Sequence, residues 1–166
     1  MSNILELSGV SKSFGRAHER NTVLRDVNLA VQEGDFVSII LDTFGDRKSA
    51  YKLIVSAAGV RGDARLLDDG RNRDYSWDGV WFSAAETFDW GYVVEMEIPY
   101  RSLQFDESLE EWGVDFDRWI PTRTEDIYWS PYEEAEGLRV SRFGSMRFDG
   151  FRPSAQGLNF EIYPVG

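Results

Sequence analysis

Between residues 89 and 121 two stretches alternate apolar and polar side chains with a period of two, which admits little except a half-buried β-strand. In residues 92–98 the apolar positions are Tyr92, Val94, Met96 and Ile98, with Glu95 and Glu97 on the other face. In residues 112–120, Trp112, Val114, Phe116 and Ile120 share one face, opposed by Asp115, Asp117 and Trp119. One face of each strand then meets a core and the other meets water, as in an antiparallel sheet. Pro99 has no amide hydrogen for a ladder and ends the first stretch. The pattern predicts an all-β chain, an antiparallel β-sandwich.

The remaining strands are read in the same way. Residues 4–14, 22–31 and 36–41 form an amino-terminal group, with Gly34 supplying the unusual backbone angles of a turn at 32–35. Strands are expected at 51–57, 64–67 and 80–85, then at 124–129, 138–143 and 158–163. Residues 101–105 read as one helical turn, and 133–137 as an acidic loop. No repeat interrupts this order.

Charge narrows the partners. With 18 basic against 29 acidic residues the net charge is −11, which opposes nucleic acid and anionic membrane surfaces alike. Neutral ligands, cations or a protein remain. There are no cysteines, so disulfides, thiolate metal sites and cysteine nucleophiles are excluded. No apolar run approaches the ~20 residues of a membrane span. The first residues, MSNILELSGV, lack a basic region and a long apolar one, so the chain as written is expected in the cytoplasm.

Residues 4–16, ILELSGVSKSFGR, and 21–40, NTVLRDVNLAVQEGDFVSII, resemble the opening of an ABC transporter ATPase subunit. The resemblance implies an antiparallel strand group in which Phe14 would stack on adenine. A phosphate-binding loop should follow, with glycines that let backbone amides cradle phosphate. The chain gives LDTFGDRKSA instead: Lys48 and Ser49 imitate the end of the motif, but Asp42 and Arg47 stand where its glycines belong. A carboxylate there repels phosphate, and either Cβ blocks its approach. ATP hydrolysis is not expected.

From about residue 38 the text changes. LDTFGDRKSAYKLIVSAAGVRGDARLLDDG, SWDGVWFSAAETFDWGYVVEMEIPYRSLQF, WGVDFDRWIPTRTEDIYWSP and SRFG resemble, in order, a family 9-like carbohydrate-binding module. The version is the one found ahead of an outer-membrane β-barrel in bacterial proteins. The resemblance implies a jelly-roll-like sandwich that here lacks its usual first strands, with the three-stranded β arm of residues 1–40 substituting for them and residues 41–166 forming the module. It further implies non-catalytic carbohydrate binding, export to the outer membrane, a barrel partner and a structural Ca²⁺. The join falls within residues 37–40, an apolar strand both families share. Rival readings are a structural domain that packs on the barrel, an ATP-binding fragment, and a folded chimera without function.

Sugar binding depends on flat rings, because a pyranose packs its C–H face on an aromatic while its hydroxyls seek planar donors and acceptors. The candidates are Trp119, beside Asp115 and Asp117 on the polar face of its strand, Trp129 after Tyr128, and Trp77 in a polar loop. Trp81 and Trp112 read as core, and Trp90 beside Gly91 as a turn residue. Glu95, Glu97, Asp115 and Asp117 would suit a glycosidase only if their strands are neighbours across a cleft, and a solvated face is the expectation. Asp42, Asp46, Asp68, Asp69, Asp74 and Asp78 lie in loops, where they either hold Ca²⁺ or cap local amides, capping being favoured. The only histidine, His18, reads as a surface loop residue. No catalytic, metal or cofactor residue is assigned.

Overall fold

The computed structural model of the chain describes residues 4–6, 13–14, 21–22, 34–88, 91–149 and 152–153. The larger sheet is a meander of β4 (Phe36–Asp42), β5 (Ala50–Ser56), β6 (Arg61–Leu67) and β7 (Asn72–Asp74). β10 (Glu111–Ile120) lies beside β4, and its far edge carries β11 (Glu125–Tyr128) at one end and β12 (Gly144–Arg147) at the other. The smaller sheet has the order β1 (Ile4–Glu6), β9 (Gly91–Pro99), β8 (Phe82–Phe88). β2 (Ser13–Phe14) and β3 (Asn21–Thr22) form a short ladder of their own. All these pairings are antiparallel. The only helical segments among the described residues are 3-10 turns, so no helix there is long and apolar enough to cross a membrane. The all-β sandwich is the fold.

Its core lies between the sheets. Ile39, Leu41, Leu53, Val55, Trp112 and Val114 project from the larger sheet toward Ile98 and the half-buried Val94 and Met96 of β9. These are the positions that the period of two puts on one face. Two features of the sheets decide what the acidic strands can do.

First, β9 and β10 are not neighbours. After Pro99 a 3-10 turn, Tyr100–Ser102, buries Tyr100, and Leu103 follows into the core, so the chain crosses from one sheet to the other. The acidic faces of the two strands therefore point to opposite sides of the sandwich.

Second, the polar face of β10 is not in water: Asp115 is 1% exposed and Asp117 3%. β10 and β4 are central, and the segment after β11 folds back across their outer face. Its Leu138, Val140 and Phe143 form a second core with Ile40, Ala50 and Leu66. Residues 138–143, expected as a strand, are this plug with a 3-10 turn at Val140–Arg142, and the strand follows as β12.

In the amino-terminal group, β1 covers an edge of β9, with Ile4 opposite Pro99 and Glu6 opposite Glu97, and residues 7–12 of the expected first strand lie outside the described residues. Most of 22–31, all of 158–163, His18 and Trp90 lie outside the described residues.

One glycine is required where β12 passes the indole of Trp129. A Cβ on Gly144 would collide with that ring, and Trp129 is wedged edge-to-face on Phe116, centroids 5.9 Å apart. Gly144→Ala is expected to lower stability by about 1–3 kcal/mol, the usual cost of overpacking. Urea unfolding of the variant checks this, and an unchanged midpoint would contradict it.

Candidate functional site

At one end of the sandwich a cleft of about 580 Å³ opens between the β4–β5 turn, the loop after β7 and the segment after β9. Phe44, Tyr51, Trp77 and Phe105 supply its rings. Arg65, Arg101, Ser102 and Gln104 supply its polar groups. A volume of this size, with aromatic and polar side chains in equal number, suits a small ligand.

Each wall is fixed by the fold. Tyr51 and Arg65 are cross-strand partners on the inner face of β5 and β6. Trp77 leans on Tyr51, with centroids 4.7 Å apart and planes at 49°. The Trp77 ring also covers Gly79, where a Cβ would come within 2.6 Å. Asp63 anchors this loop by accepting from Trp81 Nε1 at 2.8 Å and from the Gly79 amide at 3.3 Å. On the opposite wall the Gln104 amide donates to Tyr51 Oη at 3.3 Å, and Thr43 Oγ1 donates to the Gln104 carbonyl at 2.6 Å. Ser102 Oγ donates to the Val80 carbonyl, tying the two walls together. Bonds of this kind hold side chains in place before a ligand arrives, which lowers the cost of ordering on binding.

The β4–β5 turn is the stretch that imitates a phosphate loop, and its amides are already occupied. Asp42 accepts from the Arg47 amide at 2.9 Å and the Phe44 amide at 3.2 Å. Asp46 accepts from the Lys48 and Ser49 amides at 2.7 and 2.8 Å. Burial pushes the Asp42 carboxyl above the usual range. The turn leads into a strand, whereas a phosphate loop opens a helix. Elsewhere Asp69 accepts from the Ser141 amide, and Asp74 from Ser76, whose hydroxyl holds the Asp74 carboxyl below its usual range. Among the described residues no group of three or more His, Asp or Glu side chains is arranged to hold a metal.

The candidates read from sequence are dispersed. Trp77 lines the cleft. Trp129 sits on the core side because β11 turns Tyr128 to the other face, and the Trp129 amide donates to the Phe116 carbonyl at 2.8 Å. Asp115, Asp117 and Trp119 share the outer face of β10. Asp115 accepts from the Ser130 and Phe116 amides at 2.8 and 2.9 Å. Asp117 accepts from Lys52 Nζ and Ser38 Oγ, and its carboxyl is pushed up by burial, against the pull of Lys52. Trp119 is half-buried beside Phe36, its cross-strand partner. This face thus gathers three candidates, and the cleft one.

Sequence reasoning passed over Tyr51, Arg65, Arg101 and Gln104. They come from separate stretches and carry no common motif. It also passed over Lys52, whose signal was present: a single cation inside the apolar run of β5.

No protein-family model matches the chain. Over 72 residues, 43% of this chain and 11% of the relative, it is 36% identical to the macrolide export ATP-binding/permease protein MacB of Escherichia coli. The figures are the same for MacB 2 of E. coli O1:K1 / APEC. The chain spans about a tenth of the length of these curated relatives. Its fold is similar to that of a family 9 carbohydrate-binding module from Caldicellulosiruptor kristjanssonii in complex with cellotriose, with a TM-score of 0.50 at 15% identity over 84% of this chain and 70% of that one. The same module in complex with glucose gives a TM-score of 0.50 at 16% identity over 81% and 69%. At such identities the likeness is one of architecture: this chain has the β-sandwich of a family 9 module.

Proposed function

We propose that the chain is a non-catalytic carbohydrate-binding module, with the sugar seated in the Trp77 cleft. The observation that carries this is the Tyr51–Trp77 pair, a ring surface walled by fixed hydrogen-bonding groups. It stands on a fold that holds glucose or cellotriose in the structures compared above. Trp77 takes the C–H face of a pyranose, and Gln104 and Ser102 take hydroxyls. Asp115, Asp117 and Trp129 support the sheet. Catalysis is not part of the proposal: Glu95 and Glu97 face away from Asp115 and Asp117 with the sandwich between, whereas a glycosidase pair stands about 5–10 Å apart across one cleft. The proposal keeps residues 1–40 as an arm and 41–166 as the module, joined within β4.

Calorimetric titration with a panel of soluble oligosaccharides tests the reading. Trp77→Ala is expected to weaken binding at least about tenfold, as for a central aromatic anchor. Trp119→Ala is expected to leave it unchanged. A panel without a single binder would contradict the proposal, and so would loss of binding in Trp119→Ala alone.

A further inference from the structure

We infer that the cleft selects acidic glycans, those carrying uronate carboxylates, over neutral ones; this rests on the carbohydrate reading of the same cleft. The chain has 29 acidic against 18 basic residues, yet among the described residues the charged side chains lining the cleft are Arg65 and Arg101, with no carboxylate in its walls. A cleft with a few apolar walls concentrates the field of the charges it does hold.

The two guanidiniums also differ from other arginines in how they are used. Arg118 is paired with Asp35, Arg142 with Glu133 and Glu136, and Arg147 with Glu111. Arg65 and Arg101 make no salt bridge or hydrogen bond among the described residues. The nearest acid in register is Asp74, opposite Arg65; the Arg65 charge helps hold its carboxyl low, but its bonds are to the Ser76 amide and hydroxyl. Arg65 is half-buried, so its charge is screened less than that of a surface arginine.

Ring and charge together define the ligand. A sugar packed on Trp77 presents its ring substituents at the edge of the stack, where Arg65 and Arg101 line the same cleft. A guanidinium offers paired N–H donors that match the two oxygens of a carboxylate, and such bonds are stronger than those to a hydroxyl. Neutral sugars leave this capacity unused.

The experiment compares tetragalacturonate, its fully methyl-esterified form and cellotetraose by calorimetry on the full chain. The acid is expected to bind at least about tenfold tighter than its ester, the factor that one charged hydrogen bond supplies. Arg101→Gln, on an exposed turn, and Arg65→Gln should each reduce that ratio while binding of the ester persists. Equal affinity for acid and ester, or tighter binding of cellotetraose, would overturn the inference and leave the carbohydrate reading standing. No binding of any of the three would overturn both. Competition by polyglutamate as effective as by tetragalacturonate would also overturn it, since the carboxylate would then need no sugar ring.

Discussion

Lys52→Met is expected to destabilise the fold by about 3–5 kcal/mol near neutral pH, the usual result of stranding one member of a buried ion pair. The Lys52 and Asp117 side chains are 9% and 0% exposed, and they meet on the outer face of the larger sheet, with Ser38 also donating to Asp117. Without Lys52 the carboxylate keeps the Ser38 hydroxyl and loses the one cation bonded to it, leaving only the weaker pull of the Arg73 charge. Burial already raises the Asp117 carboxyl above its ordinary range, and Lys52 opposes that rise. Removing the lysine therefore raises it further. A carboxyl whose folded pKa exceeds its unfolded one stabilises the fold most fully below the unfolded value, and that contribution is lost as pH rises through the folded one. The deficit of Lys52→Met should accordingly be largest near neutrality and shrink in mild acid. Pairing it with Asp117→Leu should restore much of the loss, because two apolar groups need no partner. Urea unfolding of the single and double variants at both pH values measures this. A loss that does not depend on pH, or a double variant no better than the single, would show that the pair is not acting as a buried charge couple.

Trp112→Ala is expected to cost a similar amount, about 3–5 kcal/mol, as deletion of a large buried aromatic does. Trp112 is 1% exposed and holds three segments together. It meets Tyr100 edge-to-face at 5.8 Å, Phe105 at 5.4 Å and Phe148 edge-to-face at 5.0 Å. Phe105 is also a wall of the cleft, so the cavity left by the indole would loosen that wall. Trp112→Ala should therefore lower both the denaturation midpoint and the affinity for oligosaccharide, with Trp77→Ala lowering the affinity alone. A fully stable Trp112→Ala variant would contradict this account of the core.

The period of two placed Val94, Met96, Trp112 and Val114 correctly on inner faces, because parity along a strand is a local property. Which sheet a strand joins is not local. Alternation leaves open whether β9 and β10 are neighbours, and the chain after Pro99, which crosses the core, puts them in different sheets. The outer face of β10 likewise reads as wet, because Asp117 finds its cation on β5, beyond β4, and Asp115 finds its donor in the Ser130 amide beyond β11. Trp129 illustrates the same limit: it is an indole near acidic residues in the sequence, but it falls on the core side of Tyr128 and closes against Gly144. The cleft was the least legible part. Trp77 stood out as an indole in a polar loop, while Tyr51, Arg65 and Arg101 reach it only through strand register and a crossing turn.

The most direct measurement of the central claim is a two-dimensional NMR titration that follows the indole N–H signals of the six tryptophans as oligosaccharide is added. The account predicts that the Trp77 signal moves, together with the backbone amides of Ser102 and Gln104, while Trp112, Trp119 and Trp129 stay in place. Shifts centred on Trp119, with Trp77 unmoved, would place the sugar on the outer face of β10 and contradict it.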